Sequence, residues 1–412
     1  MWRQAVEVAV IGAGAAGLAA GRALARAGVQ TLVLEARPRI GGRAWTQVLD
    51  GFALDMGCGW LHSADRNPFA LMARDLGFTL DETPPPWEGQ AGGQGFPLEA
   101  QREFHAAFDR FEQRLEAAAR EGEDRAAGDL MDPDCPWNPL MDAVATWYSG
   151  APFGALSLQD YVAYDDDGVN WRVVEGYGAL VARAGAGAPV QTGVEVTTVD
   201  RTGPRLRLQT SLGALEAEAV IVAVPTPALA EGRLSFDPPL PAKAEAASGL
   251  PLGLADKITL RLAEPDGFPV DSQMLGRTDT TDTGAYHLRP FGRPLIEAFV
   301  GADLARRLEA AGPQAAYDFA LEELCAQLGS GFRSRAKGVA ATAWAADPWA
   351  RGSYSYARPG RRAARKALAA PVEERIFFAG EACHPTLFST AHGAWLTGER
   401  AASQAIVTLR GA

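Results

Sequence analysis

At 412 residues, with 39 Lys and Arg against 50 Asp and Glu and a net charge of −11, the chain is long enough for two or three domains and offers no basic stripe to a nucleic acid. Its four cysteines (Cys58, Cys135, Cys325, Cys383) form no C-x-x-C pair, which argues against a disulfide framework or a zinc site. No apolar stretch reaches the roughly 18 residues of a membrane span, so a cytoplasmic protein is expected; the acidic balance suits a cationic substrate, although solubility alone accounts for it in many proteins.

Val6–Ile11 alternates and is rich in β-branched residues, the pattern of a buried strand. Gly12-Ala13-Gly14-Ala15-Ala16-Gly17 follows, then a helical stretch Leu18–Ala27 stopped by Gly28, and a second strand Gln30–Leu34 ending in Glu35. In such a strand–turn–helix, Gly12 permits the tight turn, Gly14 brings the backbone close to a pyrophosphate, and Gly17 lets the helix pack on the strand. The helix N-terminus offers unpaired amides to the phosphates, and Glu35 stands where a carboxylate accepts ribose hydroxyls. Ala36-Arg37-Pro38-Arg39-Ile40 leads to Gly41-Gly42-Arg43, a second close backbone approach with a guanidinium for the diphosphate. The stretch Glu35–Arg43 resembles the extended signature of the FAD-containing amine oxidase superfamily rather than that of nicotinamide dehydrogenases, which makes FAD the expected cofactor.

Leu54–His62 (L-D-M-G-C-G-W-L-H) resembles the polyamine oxidase strand whose W-x-H ends at the active site. His62 is expected to bond a substrate nitrogen or relay a proton; a structural histidine is the alternative. Leu71–Leu80 closes the first α/β section, and Pro84-Pro85-Pro86 reads as a domain crossing. A charged helical pattern runs from about Gln101 to Ala127, and Asp132–Pro139 reads as irregular. From Gly176 the dinucleotide pattern returns, with a helix led by Tyr177, a strand over Val190–Val199 and a hairpin from Leu206–Gln209 and Ala214–Ala219. The near-continuous apolar run Ala219–Val224 marks a parallel strand buried on both faces. After Pro238–Pro241 a second excursion carries strands near Ala255–Leu262 and Leu295–Val300 and helices near Ala302–Ala311 and Pro313–Leu328.

Lys257 stands on the apolar strand A-D-K-I-T-L, where it matches by pattern the family's lysine that holds a water near flavin N5; a strand-edge lysine reaching solvent is the alternative. Trp344–Tyr356 resembles the corresponding stretch of lysine-specific histone demethylases and polyamine oxidases. That resemblance puts Tyr354 at the aromatic position flanking the flavin face. Ser353 falls where monoamine oxidases carry the cysteine that bonds flavin, which implies non-covalent FAD. Glu374–Glu381 reads as a short buried strand delivering Gly380-Glu381, similar to the superfamily's C-terminal FAD motif for the ribityl–diphosphate region. Ser389–Ala394 (S-T-A-H-G-A) is similar to polyamine and spermine oxidases and opens a final helix through Thr408. The helix's first amides are then expected at the flavin's pyrimidine end. Thr390 replaces a tyrosine of monoamine oxidases, implying a one-walled aromatic cage for a long, threaded substrate.

The resemblance extends over nearly the whole chain and implies an α/β fold: a Rossmann-like FAD-binding domain (1–75, 171–237, 344–412) interleaved with an α+β substrate-binding domain (76–170, 238–343) carrying a mixed sheet. It implies oxidation of a polyamine-like or other primary or secondary amine by hydride transfer to flavin N5. The resulting imine hydrolyses, and O2 reoxidises the flavin to release H2O2. Cofactor contacts are expected at Gly12, Gly14, Ala15, Ala16, Gly17, Glu35, Ala36, Arg37, Gly42, Arg43, Gly57, Cys58, Gly59, Trp60, Val194, Trp344, Trp349, Ser353, Tyr354, Gly380, Glu381, Thr390 and Ala391. Catalytic roles are expected of Lys257, Tyr354, His62 and Thr390, with no metal. Asp165-Asp166-Asp167 and Glu175 are candidates for a substrate's distal ammonium, or a solvated acidic loop. Arg289 and Arg293 would serve an amino-acid oxidase. A desaturase- or protoporphyrinogen oxidase-like enzyme and a non-catalytic FAD module stay open, as does the oligomeric state.

Overall fold

The computed structural model describes residues 4–88, 90 and 95–411. Its larger sheet has eight strands, ordered Ser235–Asp237, Val196–Asp200, Leu206–Thr210, Gly213–Val222, Ala5–Ile11, Thr31–Glu35 and Val190–Thr192, with Ile376–Phe378 added beside Gly213–Val222. Ala5–Ile11 runs parallel to both its neighbours, and its apolar run is buried between two layers.

Two sequence expectations change here. The strands expected at Ala214–Ala219 and Ala219–Val224 are one strand, Gly213–Val222. Its alternating first half pairs antiparallel with Leu206–Thr210, and its apolar second half pairs parallel with Ile376–Phe378. Conversely, the strand expected over Val190–Val199 is broken by Gly193, which adopts φ +72. The first piece pairs with Thr31–Glu35 and the second with Leu206–Thr210.

The first helix spans Ala15–Arg26, beginning at the N-cap Gly14 rather than at Leu18. It crosses the final helix, Ala391–Gly411, so closely that a Cβ on Gly398 would sit 2.1 Å from Ala16 O. The smaller sheet has five strands in the order Ser272–Leu275, Ala285–Leu288, Leu295–Gly301, Ala255–Leu262 and Ala336–Ala341. All its pairings are antiparallel, so the mixed strand directions belong to the larger sheet. Helices Ala302–Ala311 and Pro313–Leu328 pack on it.

A third layer is helical. Leu98–Arg120 ends short of the expected Ala127 because Gly122 turns the chain at φ +85. Asn138–Ser149 begins inside the stretch read as irregular: proline in a first helical turn costs no hydrogen bond. Phe104, Phe111 and Phe153 form the core of this layer. Among the described residues no helix is long and apolar enough to cross a membrane.

Candidate active site

The turn after the first strand is built as its glycines require. Gly12 adopts φ +100, and a Cβ there would meet Ala223 O at 2.6 Å. A Cβ on Gly17 would lie 1.7 Å from Gly12 O, so only glycine lets the helix close on the turn. Gly14 faces open space, with nothing within 4 Å of an added Cβ. Glu35 accepts from Ala13 N–H at 2.7 Å and Arg37 N–H at 2.9 Å, which fixes its carboxylate beside this loop. The second glycine loop lies against the first, with Gly41 N–H donating to Ala13 O at 2.8 Å.

One cavity of about 1220 Å³ runs from these loops to the five-stranded sheet and the helical layer. It is lined by every expected site residue except Gly17, which lies beneath the turn. The open face at Gly14, the amides of the first helix and a continuous channel past Trp349 and Ser353 fit an extended dinucleotide such as FAD.

Arg43, expected at the diphosphate, and Arg37, expected as a cofactor contact, both face carboxylates. Arg37 pairs with Asp347 at 2.5 Å, and Arg43 donates to Ser353 O at 2.6 Å and Glu381 at 3.0 Å. Glu381 also accepts from the Ser355 hydroxyl at 2.6 Å and Ser389 N–H at 2.9 Å. Burial pushes its carboxyl up, but Arg43, Ser355, Arg365 and Ser389 together hold it below the ordinary value. Glu381 thus ties three segments of the cavity wall together, a role beyond the contact expected of it.

Behind Glu381 lies an ion pair that the sequence reading did not find. Arg365 meets Asp160 through two bonds, at 2.6 and 2.7 Å, and both side chains are buried. Arg365 also donates to the Ser355 hydroxyl at 3.0 Å and stacks 3.7 Å from the Phe388 ring centre.

Lys257 faces the cavity rather than outer solvent. Its Nζ donates to Asp55 O at 2.8 Å and lies 5.3 Å from the Phe299 ring centre. Ser353 is pinned to the same strand, its hydroxyl donating to Ala255 O at 2.7 Å and accepting from Ala255 N–H at 2.9 Å. Tyr354 donates its hydroxyl to Trp147 O, and burial pushes the phenol above its ordinary value. Thr390 caps the final helix, its hydroxyl accepting from Gly393 N–H at 2.9 Å and donating to Leu387 O at 2.7 Å. Its side chain therefore serves as a wall whose hydroxyl is already engaged. His392 is buried against Asn67, and desolvation lowers it to about 3, which keeps it neutral.

His62 Nδ1 lies 3.0 Å from Asp166. Burial works against that carboxylate, but its bonds to His62, Gly168 N–H and Ser63 hold it below the ordinary value. The ring of His62 stacks on Trp87, Trp87 meets Trp60 at 5.0 Å, and Trp60 stacks on His287. Of these, Trp87 and His287 were not anticipated; a tryptophan after three prolines carries no periodic signal.

The carboxylate candidates divide. Asp166 lines the cavity, whereas Asp165 and Asp167 pair with Arg66 at 2.6 and 3.0 Å outside it. Glu175 is held by Thr79. The helix Leu98–Arg120 supplies Glu112 and Glu116 instead, both lining the cavity; desolvation, Asp109 and Glu116 push Glu112 upward. Arg289 and Arg293 donate to backbone carbonyls away from the cavity. Among the described residues no group of three or more His, Cys, Asp or Glu converges as a metal site.

The sequence matches the family described as "Flavin containing amine oxidoreductase" over residues 15–143 and 137–406. It is 28% identical over 444 residues to polyamine oxidase 2 of Arabidopsis thaliana, covering 96% of this chain and 87% of that protein. It is 29% identical to polyamine oxidase 3 of Oryza sativa subsp. japonica over 440 residues, 96% of this chain and 88% of that one. Lysine-specific histone demethylase 1 homolog 2 of Arabidopsis thaliana is 28% identical, with 97% of this chain and 58% of that protein aligned. Among solved structures, a putrescine oxidase bound to putrescine shares the fold, with a TM-score of 0.79 at 22% identity over 98% of this chain and 100% of that one. The chain therefore belongs to the flavin-containing amine oxidoreductase family and is an FAD-dependent oxidoreductase acting on amines.

Proposed function

We propose that the substrate is a polyamine-like amine, long enough to carry a second charged nitrogen, and that O2 reoxidises the flavin with release of hydrogen peroxide. The carrying observation is the cavity lining beyond Lys257, which combines aromatic rings (Trp60, Trp87, Trp147, Tyr148, Tyr354) with the carboxylates Glu112, Glu116 and Asp166. The cavity's arginines among the described residues, Arg37, Arg43, Arg233 and Arg351, lie toward the glycine loops, so none of them stands beyond Lys257 for a substrate carboxylate.

Bound FAD supplies a two-electron acceptor for the amine's α C–H bond, and the imine product is hydrolysed by water. The chain's residues prepare the amine for that step. Only a nitrogen with a free lone pair supports the developing iminium, and the aromatic walls favour the neutral form by desolvation. The His62–Asp166 pair takes the ammonium proton, the carboxylate orienting the ring through Nδ1. Tyr354, held by Trp147 O, is a fixed wall beside the reacting carbon. Lys257, tethered to Asp55 O, would offer its side-chain amine as a donor toward O2 when the bound flavin is reoxidised.

FAD is held non-covalently in this reading, because the side chain at position 353 is a hydroxyl already bonded to Ala255. Acid precipitation accordingly leaves all the flavin in the supernatant; colour in the pellet contradicts it.

Glu112→Gln tests the substrate assignment. KM for a diamine or triamine rises roughly tenfold, a loss of about 1.4 kcal/mol, while kcat stays within about twofold. A monoamine of matching length is unaffected. An equal rise in KM for both classes removes Glu112 as the distal-ammonium partner.

A further inference from the structure

Behind the strand that carries Lys257, two carboxylates line one small cavity of about 40 Å³. Asp256 points to the opposite face of the strand from Lys257 and is 3% exposed. Its Oδ1 accepts from the Thr342 hydroxyl at 2.6 Å and from Trp344 N–H at 3.3 Å, whereas its buried Oδ2 has no partner. Glu309, on the helix Ala302–Ala311, accepts Ala345 N–H on one oxygen and Ala346 N–H on the other, both at 2.9 Å.

The two carboxylates therefore grip one segment, 342–346, from two sides. That segment carries Trp344, which lines the large cavity and donates its indole N–H to Met56 O at 3.0 Å. Thr342 also accepts the backbone N–H of Lys257 at 2.8 Å, so the same bonds reach the lysine strand. The rest of the small cavity's lining is uncharged, including Ile258, Val300, Ala305 and Leu308, and supplies no cation. On the far side of the strand Lys257 is bonded to Asp55 O and Arg261 to Asp50, and Tyr354 feels the Asp256 charge.

Donor placement decides which partner is the acid. Both Glu309 oxygens already accept backbone N–H groups, so neither is placed to act as a donor. Asp256 Oδ1 is occupied as an acceptor, so a proton belongs on Oδ2. We propose that Asp256 is a neutral, protonated acid in the working enzyme, its Oδ2 proton facing Glu309 directly or through one water, and that this neutral pair positions Trp344 and the Lys257 strand. Burial and then Glu309 push the Asp256 carboxyl up to about 8, in keeping with that arrangement. Ionisation would leave two negative charges in a cavity whose described lining holds no counter-ion, and the segment under Trp344 would be pushed away from the strand.

The catalytic consequence rests on the reading of Trp344 and Lys257 given above; the proton itself is tested without it. Asp256→Asn keeps the acceptor at Oδ1 and places an amide donor at the other position, with no proton to lose. A carboxyl raised in the folded state contributes stability that is full below its unfolded pKa of about 3.9 and is lost as pH rises toward its folded value. Urea unfolding of the FAD-loaded protein between pH 6 and pH 8 therefore weakens wild type relative to Asp256→Asn by about tenfold in the folding constant per pH unit, levelling off above pH 8. The flavin-band circular dichroism of wild type changes reversibly in a titration centred near pH 8, where Asp256 ionises in the folded protein, while that of Asp256→Asn stays constant. Glu309→Gln removes the second cause and leaves burial, so its stability levels off at a lower pH than wild type, and it serves if the Asn variant does not fold. Parallel pH slopes in wild type and variant overturn the proposal.

Discussion

Lys257→Met slows flavin turnover by about 10²–10³-fold while FAD stays bound, the effect of losing one fixed charge or donor from a dry site. Met fills nearly the same volume, so the strand Ala255–Leu262 keeps its pairing with Leu295–Gly301, and the dinucleotide loops lie elsewhere. What disappears is the ammonium held at 2.8 Å from Asp55 O. Asp55 itself remains fixed by Tyr177 N–H, Gly178 N–H and the Thr46 hydroxyl. Anaerobic stopped-flow mixing with amine, followed by separate mixing of reduced enzyme with O2, shows which half-reaction carries the loss. Rates within about twofold of wild type in both half-reactions would sink the role assigned to Lys257.

Arg365→Met destabilises the fold by about 3–5 kcal/mol, the cost of leaving a buried charge without its partner. Asp160 loses two direct bonds, and Ser355 loses the guanidinium that helps orient it toward Glu381. FAD affinity falls with stability, since Glu381 joins Ser355, Ser389 and Arg43 at the cofactor end of the cavity. Adding Asp160→Asn to Arg365→Met restores part of the loss, because no uncompensated charge is then buried. Urea midpoints of the two singles and the double give the coupling. A cost below about 1 kcal/mol for Arg365→Met, as at an exposed ion pair, contradicts the network described.

What was legible in the sequence follows from the range over which each signal acts. Gly12, Gly14 and Gly17 perform jobs within one turn, so their spacing alone specifies the geometry that the structure shows. Strands such as Ala5–Ile11 and helices such as Pro313–Leu328 repeat their patterns locally and were placed within a few residues. Gly213–Val222 was split in two because its change of pattern reflects a change of partner, from Leu206–Thr210 to Ile376–Phe378, not a break in the chain. The Val190–Val199 error has the opposite origin: the apolar pattern runs on through Gly193 while the backbone turns there.

The cavity wall was legible in the sequence at its glycine-loop end and less so toward the helical layer. Arg365 and Asp160 lie 205 residues apart, and no periodicity links them. Glu112 and Glu116 resemble the solvated face of a charged helix, and only the tertiary fold turns that face into a cavity wall. The acidic run Asp165–Asp167 looked the stronger candidate because its charges are adjacent, yet Arg66 takes two of them. Adjacency in sequence is a weak guide to which charges a substrate meets.

The most direct test is anaerobic mixing of the purified, FAD-loaded protein with amines while the flavin's visible absorption band is followed. Spermidine, spermine or a shorter diamine bleaches the band, and does so faster than a monoamine of equal length. A band left unchanged by every amine in the panel would overturn the assignment of a polyamine-like substrate to this cavity.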